Sequence, residues 1–290
     1  MPAAQELQKR LQAVVSARRF QAFVAGRPAT NVVVSRLKAT EGIGGSAWLS
    51  TCPTTSFTII RDVDFLKAVR LRLGLLPVVN FPVARCPACK KRPLFADAPS
   101  HLLSCTALMH CNGASSAGHG LVGCAIAHHL RAAGVAVNFE SQHLKPSRRT
   151  RPDLLVFDAT AKRLLTDHTI INPVATSRRG QQVSKIIERV DHKKRQNYTE
   201  MAERLGASIV PLVFSAFGYI PDTALDFLSF VSVTGNELHL NSWPTGPRGL
   251  RAAMLASVSC ALQKRNAHII AISAQRVLSL ARRGIAVAVP

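Results

Sequence analysis

The sequence predicts an α/β protein, with a mixed sheet and helices packed against it. Three observations carry that expectation. Between residues 119 and 218 the apolar patterns follow the order α-β-β-β-α-β. Gly134 and Gly206 each close a helical pattern just before a strand pattern, where a left-handed residue ends a helix most easily. The apolar share, 47% of 290 residues, is enough for a sizeable core and excludes global disorder.

The elements follow in chain order. Residues 1–25 have the charge and spacing of an amphipathic helix, and 26–60 are mixed, with the glycine-rich GIGG at 42–45. DVDFLKAVRLRLGLLP reads as a helix that Asp62 could cap, with Phe65, Leu66, Val69 and Leu73 as its apolar stripe and Gly74 and Pro77 closing it. A cysteine-rich segment spans 86–118. HGLVGCAIAHHLRAAG (119–134) is a helix in which Cys124 takes a packing position, and VAVNFE (135–140) is a strand. SQHLKPSRRT is a basic loop. RPDLLVFD and RLLTDHTII are strands, and 181–206 is a long helix. SIVPLVFSAFG is a strand, 222–231 a helix, and the stretch after NSWPTGPRG forms one or two basic helices. The organisation expected is a helical N-terminal extension (1–80), a knuckle-like segment (81–118), the α/β core (119–235) and a basic helical C-terminal extension (236–290).

Charge narrows the partners. Lys and Arg number 37 against 16 acids, a formal net charge of +21. Self-repulsion of that size is relieved by a polyanion, and nucleic acid is the usual one; a tail-like basic protein is the plainer alternative. The N-terminus lacks the apolar core of a secretory signal. The longest uncharged run, LGASIVPLVFSAFGYIP, contains Pro and Gly and reads as a buried strand with its exit turn, so no membrane span is expected. Seven cysteines, four of them between 86 and 111, fit metal binding in a reducing compartment better than a disulfide framework.

Cys86, Cys89, His101 and Cys105 supply four zinc-type ligands at short spacing. C-x-x-C puts two thiolates on one turn, and H-x-x-x-C brings two more donors to one end of a short helix, which together can close a tetrahedral shell. His110 and Cys111 could replace His101 or Cys105, and Cys86 and Cys89 could instead be free thiols.

Asp153 and Asp167 are acids inside apolar runs. Strand periodicity groups Asp153 with Leu155 and Phe157, and Asp167 with Leu165, Thr169 and Ile171. A hairpin through FDATAKRL brings the two carboxylates within reach of one hard divalent cation such as magnesium. The Pro-Asp pair alone says little, because Pro221-Asp222 repeats it at an ordinary helix start. His168 faces away from Asp167 and reads as structural, while His128 and His129 have no evident partner.

The order helix, strand, PD strand, acidic strand, helix resembles the PD-(D/E)xK nuclease core. In detail it is similar to the restriction-like endonuclease of site-specific non-LTR retrotransposon proteins. The resemblance rests on the cysteine segment, on His119 opening the helix (here between Gly118 and Gly120), on Glu140 ending the first strand, and on Asp153. It rests also on Asp167-His168-Thr169 and on Lys194, Asn197 and Tyr198, with Asn197 where a second lysine is usual. It covers roughly residues 62–235 and implies a restriction-endonuclease-like αβββαβ core. It implies that Asp153, Asp167 and Glu140 hold magnesium, that Lys194 orients the attacking water or stabilises the phosphate, and that Tyr198 packs or hydrogen-bonds beside it. The cysteine cluster would hold structural zinc. The substrate would be DNA or RNA, with a nuclear location, and His119, Lys145, Arg148, Arg149, Arg151, Arg178, Arg179 and Lys193 would meet nucleic acid. No Y-x-D-D polymerase signature begins at Tyr198 or Tyr219, so a fragment or remnant without polymerase is expected. A nucleic-acid-binding protein without catalysis is the alternative.

Overall fold

A computed structural model describes residues 2–28, 30–76, 85–90, 100–109, 114–139, 152–157, 163–175, 177–238 and 246–282. Its helices are α1 (Pro2–Ala25), α2 (Val32–Ala39), α3 (Ile43–Ser50), α4 (Asp62–Leu73), α5 (Thr106–Met109), α6 (Ala114–Ala132), α7 (Val183–Leu205), α8 (Asp222–Leu238) and α9 (Gly246–Arg282). The strands are β1 (Ala136–Phe139), β2 (Leu154–Phe157), β3 (Arg163–Ile171) and β4 (Ala207–Ser215). They form one sheet in the order β1-β2-β3-β4, with β1/β2 and β2/β3 antiparallel and β3/β4 parallel. The mixed α/β class expected from the sequence is what the chain adopts.

Alternation along the strands sorts the core into two layers. Leu155, Leu165, Ile171 and Val213 face α7, where Ile186, Ile187, Tyr198, Met201 and Ala202 cover them. Val137, Leu154, Val156, Leu212 and Phe214 face the other way, onto Val122, Ile126 and Leu130 of α6. α7 is the crossover that a parallel β3/β4 pair requires. It ends at Gly206, whose φ of 56° is left-handed and whose N–H caps the last carbonyls, and β4 starts at the next residue.

α9 does not behave as an extension. Met254, Val258 and Leu262 are buried against the sheet layer, while Ile269, Ile270, Ala274 and Val277 are buried against the cysteine-rich segment. One 37-residue helix therefore joins the two regions.

Three further expectations need correcting. The buried face of α4 is Asp64, Ala68 and Leu71, and Phe65, Leu66 and Leu73 are exposed. Arg61 precedes α4 without a side-chain cap, so Asp62 lies inside the first turn. Cys124 is exposed rather than packed. The mixed segment after residue 26 contains α2, capped by Asn31 Oδ1 accepting from the N–H groups of Val33 (2.9 Å) and Val34 (3.4 Å). GIGG runs into α3, with Gly42 as its N-cap residue.

Candidate functional site

The β2/β3 register pairs Leu154 with Thr166, and the Asp153 N–H extends it by donating to Thr166 O at 3.0 Å. Asp153 thereby meets β3 beside Asp167, and the two carboxyls come close enough to interact. Both carboxylates are buried. Lys194 Nζ, from α7, donates to Asp167 Oδ2. Asp153 precedes β2 in a bend, and its carboxylate turns toward α6. There His119 Nε2 lies 3.0 Å from Oδ1, and the backbone N–H of His168 donates to Oδ2 at 2.7 Å.

The environments push the two acids apart. Burial raises the pKa of Asp167 to about 6; Lys194 opposes the rise and the adjacent Asp153 adds to it. Burial also disfavours ionised Asp153, but the hydrogen bonds and charges of His119 and His168 outweigh it and hold this carboxyl well below the usual range. Such a divergence between neighbouring acids makes them candidates for a functional site.

The two imidazoles stack, 3.7 Å between centroids and 10° between planes. His168 Nε2 bonds the His119 carbonyl at 2.8 Å, which makes it the donor. His168 Nδ1 lies 2.9 Å from Asp153 Oδ2, as an ion-pair partner of the carboxylate. Gly123 of α6 makes room for this ring, since a Cβ there would come within 2.7 Å of His168 Cε1. Donor atoms of His119, Asp153 and His168 lie within 4.8 Å of one another, close enough for a metal ion. Near-parallel rings share no point in both planes, however, so as arranged they clamp a carboxylate rather than form a metal shell.

The second cluster is the cysteine segment. Donor atoms of Cys86, Cys89, His101 and Cys105 also lie within 4.8 Å of one another, with Cys89 Sγ 3.6 Å from His101 Nε2. The Cys86–Cys89 turn closes with Lys90 N–H donating to Cys86 O at 2.8 Å, and Lys90 takes a left-handed φ of 56°. Burial, with the neighbouring thiols adding to it, pushes Cys105 up to about 12. A divalent metal relieves that crowding by binding thiolates, so the cluster can hold an ion such as zinc. Leu102 and Leu108 bury around it. Three hydrogen bonds tie it to the rest: Asn172 Nδ2, just past β3, donates to Ser100 O (2.9 Å) and Ser100 Oγ (3.2 Å), and Ser273 Oγ of α9 donates to Leu102 O (3.1 Å).

The structure therefore brings Asp153, Asp167, Lys194 and His119 together. Tyr198 is buried one turn beyond Lys194, against Leu155 and Leu165. Arg178 and Lys193 line a common cleft beside Lys194, whereas Arg179 Nη2 turns back to Val174 O at 3.4 Å. Glu140, Lys145, Arg148, Arg149, Arg151, His110 and Cys111 lie outside the described residues.

Sequence reasoning missed two features. His168 is not merely structural, because it holds Asp153; the signal was its strand face, opposite that of Asp167 and therefore toward α6, which starts at Ala114 and carries His119 in its second turn rather than at its opening. His129 also has a partner, its Nε2 lying 2.8 Å from Ser257 Oγ.

The chain matches no protein-family model, and no curated protein matches it significantly.

Proposed function

We propose that the chain is a metal-dependent endonuclease that cleaves DNA, of the restriction-like type its element order resembles. The observation that supports this most is the closeness of the buried Asp153 and Asp167 carboxyls, with Lys194 of the following helix on Asp167. Two neighbouring carboxylates are a donor set for a hard divalent cation such as magnesium; burial first, and the adjacent Asp153 after it, raise the pKa of Asp167, and a bound cation offsets both. When bound, the cation supplies positive charge against the phosphodiester and acidifies water. Asp153 is kept ionised by His119 and His168, ready as a ligand at any physiological pH. Lys194 gives the site an ammonium that can move from Asp167 to a phosphate oxygen as negative charge builds there. Zinc at Cys86, Cys89, His101 and Cys105 would be structural, because a Cys3His shell has no open position. A retrotransposon origin and a nuclear location follow from the resemblance alone.

The test is nicking of supercoiled plasmid with magnesium by the wild type, Asp153→Asn and Asp167→Asn. Loss of nicking in both variants, with plasmid binding retained, is expected. Equal nicking by all three proteins overturns the reading. Binding by all three without nicking in the wild type favours the alternative, a nucleic-acid-binding protein, which the basic cleft beside Lys194 also supports.

A further inference from the structure

A cleft of about 530 Å³ opens between the turn after β3 and the first half of α7, and Lys194 forms part of its wall. Four cations line it, Arg178, Arg189, Lys193 and Lys194, and no acid does among the described residues. Arg189 and Lys193 are exposed and stand one helical turn apart on α7, about 6 Å along the axis. Arg189 is braced across the cleft, its Nη2 donating to Gln181 Oε1 and its Nε to Lys185 O at 3.3 Å. Arg178 is fixed by backbone bonds on both sides, its N–H donating to Ala175 O (2.8 Å) and its carbonyl accepting from Gln181 N (3.1 Å).

We infer that this cleft is a phosphate-binding channel that grips the nucleic-acid backbone beside the scissile bond, with Arg178, Arg189 and Lys193 each contacting phosphate. Like charges held together without an anion are unfavourable, and a phosphate chain removes the repulsion. The guanidinium of Arg178 titrates below its ordinary value, through burial first and through the charge of Arg189 second. A chain of phosphates fits better than an isolated one, because the cations extend along a helix. A bilayer fits poorly, because the cations line a concavity and its apolar residues, Ile186 and Val190, are buried or half-buried. The inference deepens the nuclease reading but concerns binding, so it stands or falls separately from cleavage.

The test uses the full-length chain, a fluorescein-labelled duplex DNA oligonucleotide and EDTA, with affinity followed across a salt titration. Arg178→Gln, Arg189→Gln and Lys193→Gln should each lower the slope of log K against log salt by about 0.9 and weaken binding roughly fivefold. Arg204→Gln, exposed near the far end of α7, should leave the slope unchanged. Arg189 and Lys193 are also exposed, so folding is not at stake in those two variants. Slopes for the three equal to that of Arg204→Gln overturn the inference. So does tighter, variant-sensitive binding to phosphatidylcholine–phosphatidylserine vesicles than to DNA. Reduced slopes in a protein that never nicks DNA leave the channel standing and remove only the nuclease reading.

Discussion

His119 and His168 lie ring on ring, 3.7 Å between centroids, and each reaches a different oxygen of Asp153. The stack fixes a buried carboxylate from the side opposite the Lys194–Asp167 pair, so it sets both the orientation and the charge of Asp153. Removing either ring has a distinct consequence.

His168→Ala empties a fully buried site and deprives the His119 carbonyl of its donor. A loss of about 2–4 kcal/mol is expected in urea denaturation. His119→Gln, at a half-buried position, should cost less, and the Asp153 carboxyl should then titrate at higher pH when followed by carboxyl-carbon NMR.

Gly123→Ala and Gly120→Ala form a contrasting pair on α6. At Gly123 a Cβ meets His168 Cε1 at 2.7 Å and Phe139 Cε2 at 2.8 Å, whereas at Gly120 nothing lies within 4 Å. Gly123→Ala should destabilise by about 1–3 kcal/mol through overpacking, and Gly120→Ala should stabilise by up to about 1 kcal/mol through helix propensity. Thermal melts distinguish the two signs.

His129 gives stability a pH dependence away from the acids. Burial first, and the charge of His128 second, lower its pKa from 6.5 to about 4. Between those values the unfolded chain takes up a proton that the folded chain refuses. Stability therefore falls as pH drops through this window and is fully kept above it. Denaturation midpoints measured from pH 7 to pH 4 should decline less in His129→Gln than in the wild type.

Chelation probes the cysteine cluster. Treatment with a zinc chelator should release one zinc per chain to a colorimetric reporter and lower the melting temperature by several degrees. Cys105→Ser should begin without that zinc and melt near the chelated wild type. Equal melting of chelated and untreated protein would show that the packing of Leu102 and Leu108 holds the segment unaided.

The sheet and its two covering helices were legible because each strand shows its pattern locally. RLLTDHTII is β3 without a residue's error, and Gly206 marks the end of α7 by backbone chemistry alone. Strand patterns brought Asp153 and Asp167 to neighbouring strands, but not the turn of the Asp153 carboxylate toward α6. What failed to show were relations between distant segments. The contact of His119 with Asp153 spans 34 residues and that of His129 with Ser257 spans 128, and neither leaves a periodic trace. α4 misled because its largest apolar residues are exposed, while its buried face contains Asp64, whose Oδ2 accepts from Arg61 Nε at 2.7 Å. The central place of α9 was hidden by its charge: Arg265 is buried within it, and basic composition suggests a surface.

Asn172 is the joint between two halves of the molecule. Its amide grips Ser100 at the head of the cysteine cluster, and its backbone directly follows β3, the strand that holds Asp167. The cysteine cluster and the acidic strand thus share one anchor, so the segment that would hold a metal and the strand that carries Asp167 are fastened at a common point.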